Sequence, residues 1–205
     1  MGEKAVAPDA THPRPAMKIT AETTRRLWSK MNAHYGTIVV PKARSPLMKL
    51  AGAGLHLVRI MDRHTFMNRY TTVVGRRIYP WFTVGDGSDD DLWYQIVVGV
   101  HEHQHVVQAR RDGLLGFSVP YVLSPRRRAL IEAEAYRCNL EMNWWRTGQV
   151  GDPARLAAKL EQYGCRDSDV RAANDYLENA ADEIRAGKIV NEASLFAIDW
   201  LEAQG

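Results

Sequence analysis

The chain has 205 residues, of which 45% are apolar, 25% charged and 9% aromatic. That is enough apolar material for one sizeable core, and it excludes collagenous and disordered chains. Two cysteines cannot form a disulfide framework, and no stretch approaches the ~20 apolar residues of a membrane helix, so a soluble protein in a reducing compartment with no membrane contact is expected. The formal net charge of +3, from 27 basic and 24 acidic residues, is too small to argue for nucleic acid as a partner. The opening, Met1 to Pro8, lacks the apolar segment of a secretory signal, and Val6 breaks the myristoylation pattern.

Residues 1–18 carry Pro8, Pro13 and Pro15 with few large apolar side chains, and read as a flexible arm ahead of a single domain at 19–205. A helix is expected from Ala21, with Leu27, Trp28 and Met31 on one side and a stop at Gly36. Thr37 to Val40 is a strand candidate. Ser45-Pro46 has the form of a cap and first-turn proline, opening a helix through Leu50, Leu57 and Ile60. Tyr70–Val74 and Arg77–Tyr79 are β-rich runs broken at Gly75, either one bent strand or a tight pair, and Pro80 suggests a sheet edge for the second. The acids of Gly85–Asp91 read as capping the next helix, since their spacing does not match a calcium loop. That helix should run from about Asp90 to Arg111. Others are expected from Ser124 to Thr147, from Asp152 to Gly164, from Ser168 to Ala186 and from Asn191 to Ala203. The fold class is α+β, mostly helical, with a small sheet and a C-terminal helical part from 149 to 205.

Within the helix from Asp90, the run His101-Glu102-His103-Gln104-His105 contains His-Glu-x-x-His. At 100° per residue His101 and His105 stand ~40° apart around the axis and one turn apart along it, so two imidazoles can share one metal ion. Glu102 lies ~60° from His105, where a carboxylate can flank the metal and take a proton from water. The helix is apolar over most of its circumference, so it should be buried, and buried imidazoles need a partner. His103 points ~200° from His101, cannot share that metal, and reads as an exposed surface histidine.

A third ligand six residues after His105 would be expected of metzincins, but position 111 is arginine. The next long helix offers Glu132 and Glu134, ~200° apart, of which only one can face the metal. Ile131, Ala135, Cys138, Met142 and Trp145 form its core stripe. Glu134 aligns with Arg137 and Glu141 as a solvated ionic face, whereas Glu132 shares its side with Tyr136, Asn139 and Asn143. The pattern favours Glu132 and leaves Glu134 as the alternative.

His-Glu-x-x-His followed 27 residues later by a helix bearing Glu-x-x-Ala resembles the gluzincin branch of the zincin metallopeptidases. The resemblance spans about residues 70–145, and the Thr71–Pro80 segment looks like the strand that passes the active site in those folds. It implies a zincin-like core with one Zn²⁺ held by His101, His105 and Glu132, and Glu102 as general base. It also implies a peptide or protein substrate and an endopeptidase rather than an exopeptidase. Ala135 matches the second motif, while Tyr136 stands where an aspartate is common. Tyr136, Tyr121 and an arginine of Arg126–Arg128 are candidates for stabilising the oxyanion. The competing expectation is a structural or assembly protein, such as a virion component, that retains this fold. A protein partner would then order the N-terminal arm, and Trp144-Trp145, Arg76-Arg77 and Arg110-Arg111 would be docking surfaces. The location would accordingly be the cytoplasm or a larger assembly.

Overall fold

In the computed structural model, the described residues are 18–46, 48, 67 and 71–204. The expected arm, and the expected helix through Leu50, Leu57 and Ile60, lie outside them. The described part is mostly helical with a three-stranded sheet. Helix α1 (Ala21–Tyr35) starts at Thr20, whose hydroxyl accepts from the Thr23 N–H, and stops at Gly36, in the left-handed conformation with φ 59°. Strand β1 (Ile38–Val39) follows, then a 3₁₀ turn (Lys42–Arg44).

β2 (Thr72–Val74) and β3 (Arg77–Tyr79) form a tight antiparallel pair turning at Gly75, while β1 joins β3 in parallel. The order β1-β3-β2 places β3 in the centre, contrary to the edge position expected from Pro80. Pro80 falls just beyond the three-residue strand, where its missing N–H interrupts no ladder bond, and its carbonyl still accepts from the Lys42 N–H.

Helix α2 (Asp89–Asp112) opens with a capping box, Ser88 and Asp91 each satisfying the other's backbone N–H, and three aspartates stand in its positive first turn. A ten-residue helix, α3 (Leu114–Leu123), then precedes α4 (Pro125–Thr147), which is capped by Ser124 with proline at its first position. No helix is expected at α3 from the sequence, and the structure shows that α3 accommodates Pro120 within it. Beyond α4 come α5 (Pro153–Ala158), which passes into a 3₁₀ turn at Lys159–Tyr163, then α6 (Asp167–Arg185) and α7 (Glu192–Glu202).

Helix α4 is shared by two apolar clusters. Cys138 and Met142 face Leu27, Met31, Ile96, Val100 and Ala197, joining α4 to α1, α2 and α7. Ala129, Ala133, Tyr136 and Leu140 face Leu160, Leu177 and Ile184, joining it to the 3₁₀ turn and α6. The Trp144-Trp145 pair is divided between these clusters and is only partly buried, and the Trp145 indole donates to Glu202, so the pair is no common docking surface.

The face expected to be solvated is covered. Arg137 and Glu141 are buried and paired at 2.9 Å, Arg137 also reaches Glu183 at 2.6 Å, and Glu141 accepts from the N–H groups of Val190 and Asn191. The segment between α6 and α7 crosses this face, a cover that helix periodicity cannot reveal.

His103 requires a like correction. It does point away from His101, but α1 and Thr37 close over it. One ring nitrogen donates to the Gly99 carbonyl at 2.7 Å, the other lies 3.0 Å from Thr37 Oγ1, and burial lowers its pKa to about 4.

Gly99 allows α1 to approach α2 closely: a Cβ there would stand 2.8 Å from the indole of Trp28, whose N–H donates to the Gln95 carbonyl. Gly99→Ala is therefore expected to destabilise the fold by about 1–3 kcal/mol, measured by urea unfolding, because the indole cannot recede without losing that hydrogen bond.

Candidate metal centre

Helices α2 and α4 pack against each other and bring His101, His105 and Glu132 together, each of them buried. His101 Nε2 lies 3.4 Å from Glu132 Oε2, and His105 Nε2 lies 3.6 Å from Glu132 Oε1. One donor atom from each residue falls within 4.8 Å of the others, so the group could hold a metal ion. Donors bound at ~2.0–2.1 Å on two vertices of a tetrahedron stand about 3.4 Å apart, the separation of His101 Nε2 from Glu132 Oε2, while the 3.6 Å from His105 Nε2 runs to the other oxygen, Oε1. Glu132 Oε2 is buried without a hydrogen-bond partner, an orphaned oxygen that a cation would satisfy.

The rings are aimed by their other nitrogens. His101 Nδ1–H donates to Asn139 Oδ1 at 3.2 Å, and His105 Nδ1–H donates to Gln108 Oε1 at 2.8 Å. Gln108 is itself fixed, since its Nε2 donates to the Ile131 carbonyl of α4. Both Nε2 atoms are thereby left toward Glu132, the arrangement metal-binding imidazoles commonly have.

The alternative ligand Glu134 is elsewhere. It accepts from Gln104 and pairs with Arg111 at 2.9 Å. The unforeseen helix α3 completes the enclosure. Phe117 and Tyr121 stack on each other beside His105, and the Tyr121 hydroxyl donates to Glu132 Oε1 at 2.6 Å. Tyr136 lies on the other side, its ring centroid 4.9 Å from that of His101. Arg128 is occupied in tying α3 down through the Tyr121 and Val122 carbonyls, while Arg126 and Arg127 are exposed.

Charge is tightly coupled here. Burial alone would lower the pKa of His105, but the Glu132 carboxylate outweighs it and raises the value to about 9. Burial works against the Glu132 anion too, yet His105 and His101 hold its carboxyl well below the usual carboxylate range. Glu102 is raised, since burial prevails over the two histidines. Lys42, which the sequence reading overlooked, is buried at 1% exposure; its ammonium donates to Thr72 Oγ1 at 3.0 Å and interacts with the Glu102 charge. Burial brings its pKa down to about 8, opposed by Glu102. No pattern around Lys42 marks it, since it joins the site only when the turn after β1 packs beside β2.

No family model matches this sequence, and comparisons with curated proteins and with solved structures likewise return no match. The reading of the site accordingly rests on its own geometry.

Metal affinity should depend on the anchors as well as the ligands. Gln108→Ala is expected to weaken binding about 10- to 100-fold while leaving one site per chain. Glu132→Ala should abolish that site and Glu134→Ala should retain it, as read by elemental analysis and by competition with a chromophoric chelator.

Proposed function

We propose that the protein is a zinc-dependent hydrolase of peptide bonds. The carrying observation is that one donor atom each from His101, His105 and Glu132 lies within 4.8 Å of the others, with Glu132 Oε2 buried and without a hydrogen-bond partner and the Glu102 carboxylate on the same helix as the two histidines. Two imidazoles and one carboxylate form a donor set suited to Zn²⁺ that leaves a fourth position for water or substrate. When bound there, zinc supplies Lewis acidity, polarising a carbonyl and acidifying water.

The remaining steps belong to the chain. Glu102 accepts the proton of the attacking water and returns it to the leaving amine. Its burial supports this role, because a carboxylate with a raised pKa is the better base. The charge on Lys42 favours the ionised form that must be present before attack. Tyr121 fixes Glu132 through its hydroxyl, and Tyr136 is assigned to the developing oxyanion from its place beside His101. Among the described residues β2 occupies a sheet edge, so an extended substrate can add to it through main-chain hydrogen bonds. The resemblance to gluzincins noted in the sequence agrees with this reading.

Glu102→Gln is expected to retain zinc while losing hydrolysis of an unfolded protein substrate by about 100-fold or more. Unchanged turnover in that variant would refute the assigned base. Lys42→Met separates function from stability. The ammonium is disfavoured by burial, so removing it should leave the thermal midpoint at pH 7 unchanged or higher. Turnover should nevertheless fall by about tenfold, through loss of a charge beside the base. Equal turnover with a lowered midpoint would make Lys42 a purely structural residue.

A further inference from the structure

Helix α3 has two apolar faces and no charged residue. Phe117 and Tyr121 turn inward to His105 and Glu132. At 100° per residue, Leu115, Val119, Val122 and Leu123 fall in an arc ~100° wide on the opposite side. All four are exposed, Leu115 and Leu123 by 76% and 75%, and no residue of α3 is fully buried. A helix apolar around its circumference belongs inside something, and contiguous exposed aliphatic side chains mark a surface that meets another body.

The charges around α3 indicate which body. From Val106 to Glu134 the sequence has five arginines against Asp112, Glu132 and Glu134, a surplus of two. Arg110 and Arg128 are spent on backbone carbonyls of Tyr35, Tyr121 and Val122. Arg111 stands exposed before the helix, paired with Asp112 and Glu134, and Arg126 and Arg127 stand exposed just after it. The aliphatic stripe thus has a cationic end at Arg126 and Arg127, whereas Arg111 at the other end is neutralised by Asp112 and Glu134.

We propose that α3 docks this protein on an anionic lipid surface. Leu115, Val119, Val122 and Leu123 enter the boundary between headgroups and acyl chains, and Arg126 and Arg127 meet lipid phosphates. Among the described residues no helix is long and apolar enough to cross a membrane, but surface docking needs no crossing. The expectation of no membrane contact rests on the absence of a spanning stretch, a signal segment and a myristoylation pattern, none of which bears on docking through a surface helix. Since the inner face of α3 covers the metal centre, docking brings that centre to the bilayer.

The test is co-sedimentation of the full chain with vesicles of phosphatidylcholine alone or mixed with phosphatidylglycerol, at low and high salt. Binding to the mixed vesicles is expected, weakened by salt and by omission of the anionic lipid. Leu115→Ser/Leu123→Ser and Arg126→Glu/Arg127→Glu should each weaken it by about tenfold or more, with unchanged circular dichroism. Absence of binding to the mixed vesicles, or binding indifferent to both double variants, overturns the proposal. Equal, salt-insensitive binding to neutral vesicles overturns the choice of an anionic surface. A dimer without lipid that Leu115→Ser/Leu123→Ser dissolves would assign the face to a second copy instead. None of these readouts depends on metal or hydrolysis, so the lipid proposal and the zinc hydrolase reading fail separately.

Discussion

Two imidazoles and a carboxylate buried between α2 and α4 impose the strictest demand in this structure. Removed from water, His101, His105 and Glu132 must satisfy one another or a shared ion, since unpaired buried charge is far more costly than most packing defects. The two helices can approach this closely only because α4 is held from both sides, by Cys138 and Met142 in one apolar cluster and by Ala133 and Leu140 in the other. The clusters set the separation, and the Gln108 and Asn139 amides then set the ring orientations.

The same demand accounts for the secondary polar network. Gln108 spans from His105 to the Ile131 carbonyl, joining α2 to α4 at the level of the site. Gln104 extends this line, donating to Glu134 and accepting from the Ala193 N–H, so α7 is linked to the same pair. Arg137 and Glu141 perform a parallel role further along α4, satisfying the crossing segment before α7. A polar network that joins three helices favours one arrangement of them, because slipping a helix by one residue would leave several buried groups without partners.

Helix α3 stands apart from this rigid frame. It lies over the candidate metal centre through Phe117 and Tyr121, has no fully buried residue, and is fixed at its end by Arg128. Its aromatic side faces His105 and Glu132, and its aliphatic side is exposed.

Much of this was legible in the sequence. The capped helices, their glycine stops and the two-stranded turn followed from local preferences, and the spacing of His101, Glu102 and His105 on one helix placed three functional groups without any tertiary information. Helix geometry put Glu132 and Glu134 on opposite sides of one helix, and it is Glu132 that groups with the histidines, but the solvated face expected beside Glu134 is covered. What the sequence could not show was cover. His103 and the Arg137–Glu141 pair read as surface residues, and become buried only because α1 and the segment before α7 fold over them. Lys42 joins Glu102 across some sixty residues of sequence, and Tyr121 reaches Glu132 from a helix not expected from the sequence. Periodicity reports the direction of a side chain from its own axis. What waits in that direction is decided by the packing of distant segments, which only the tertiary structure contains.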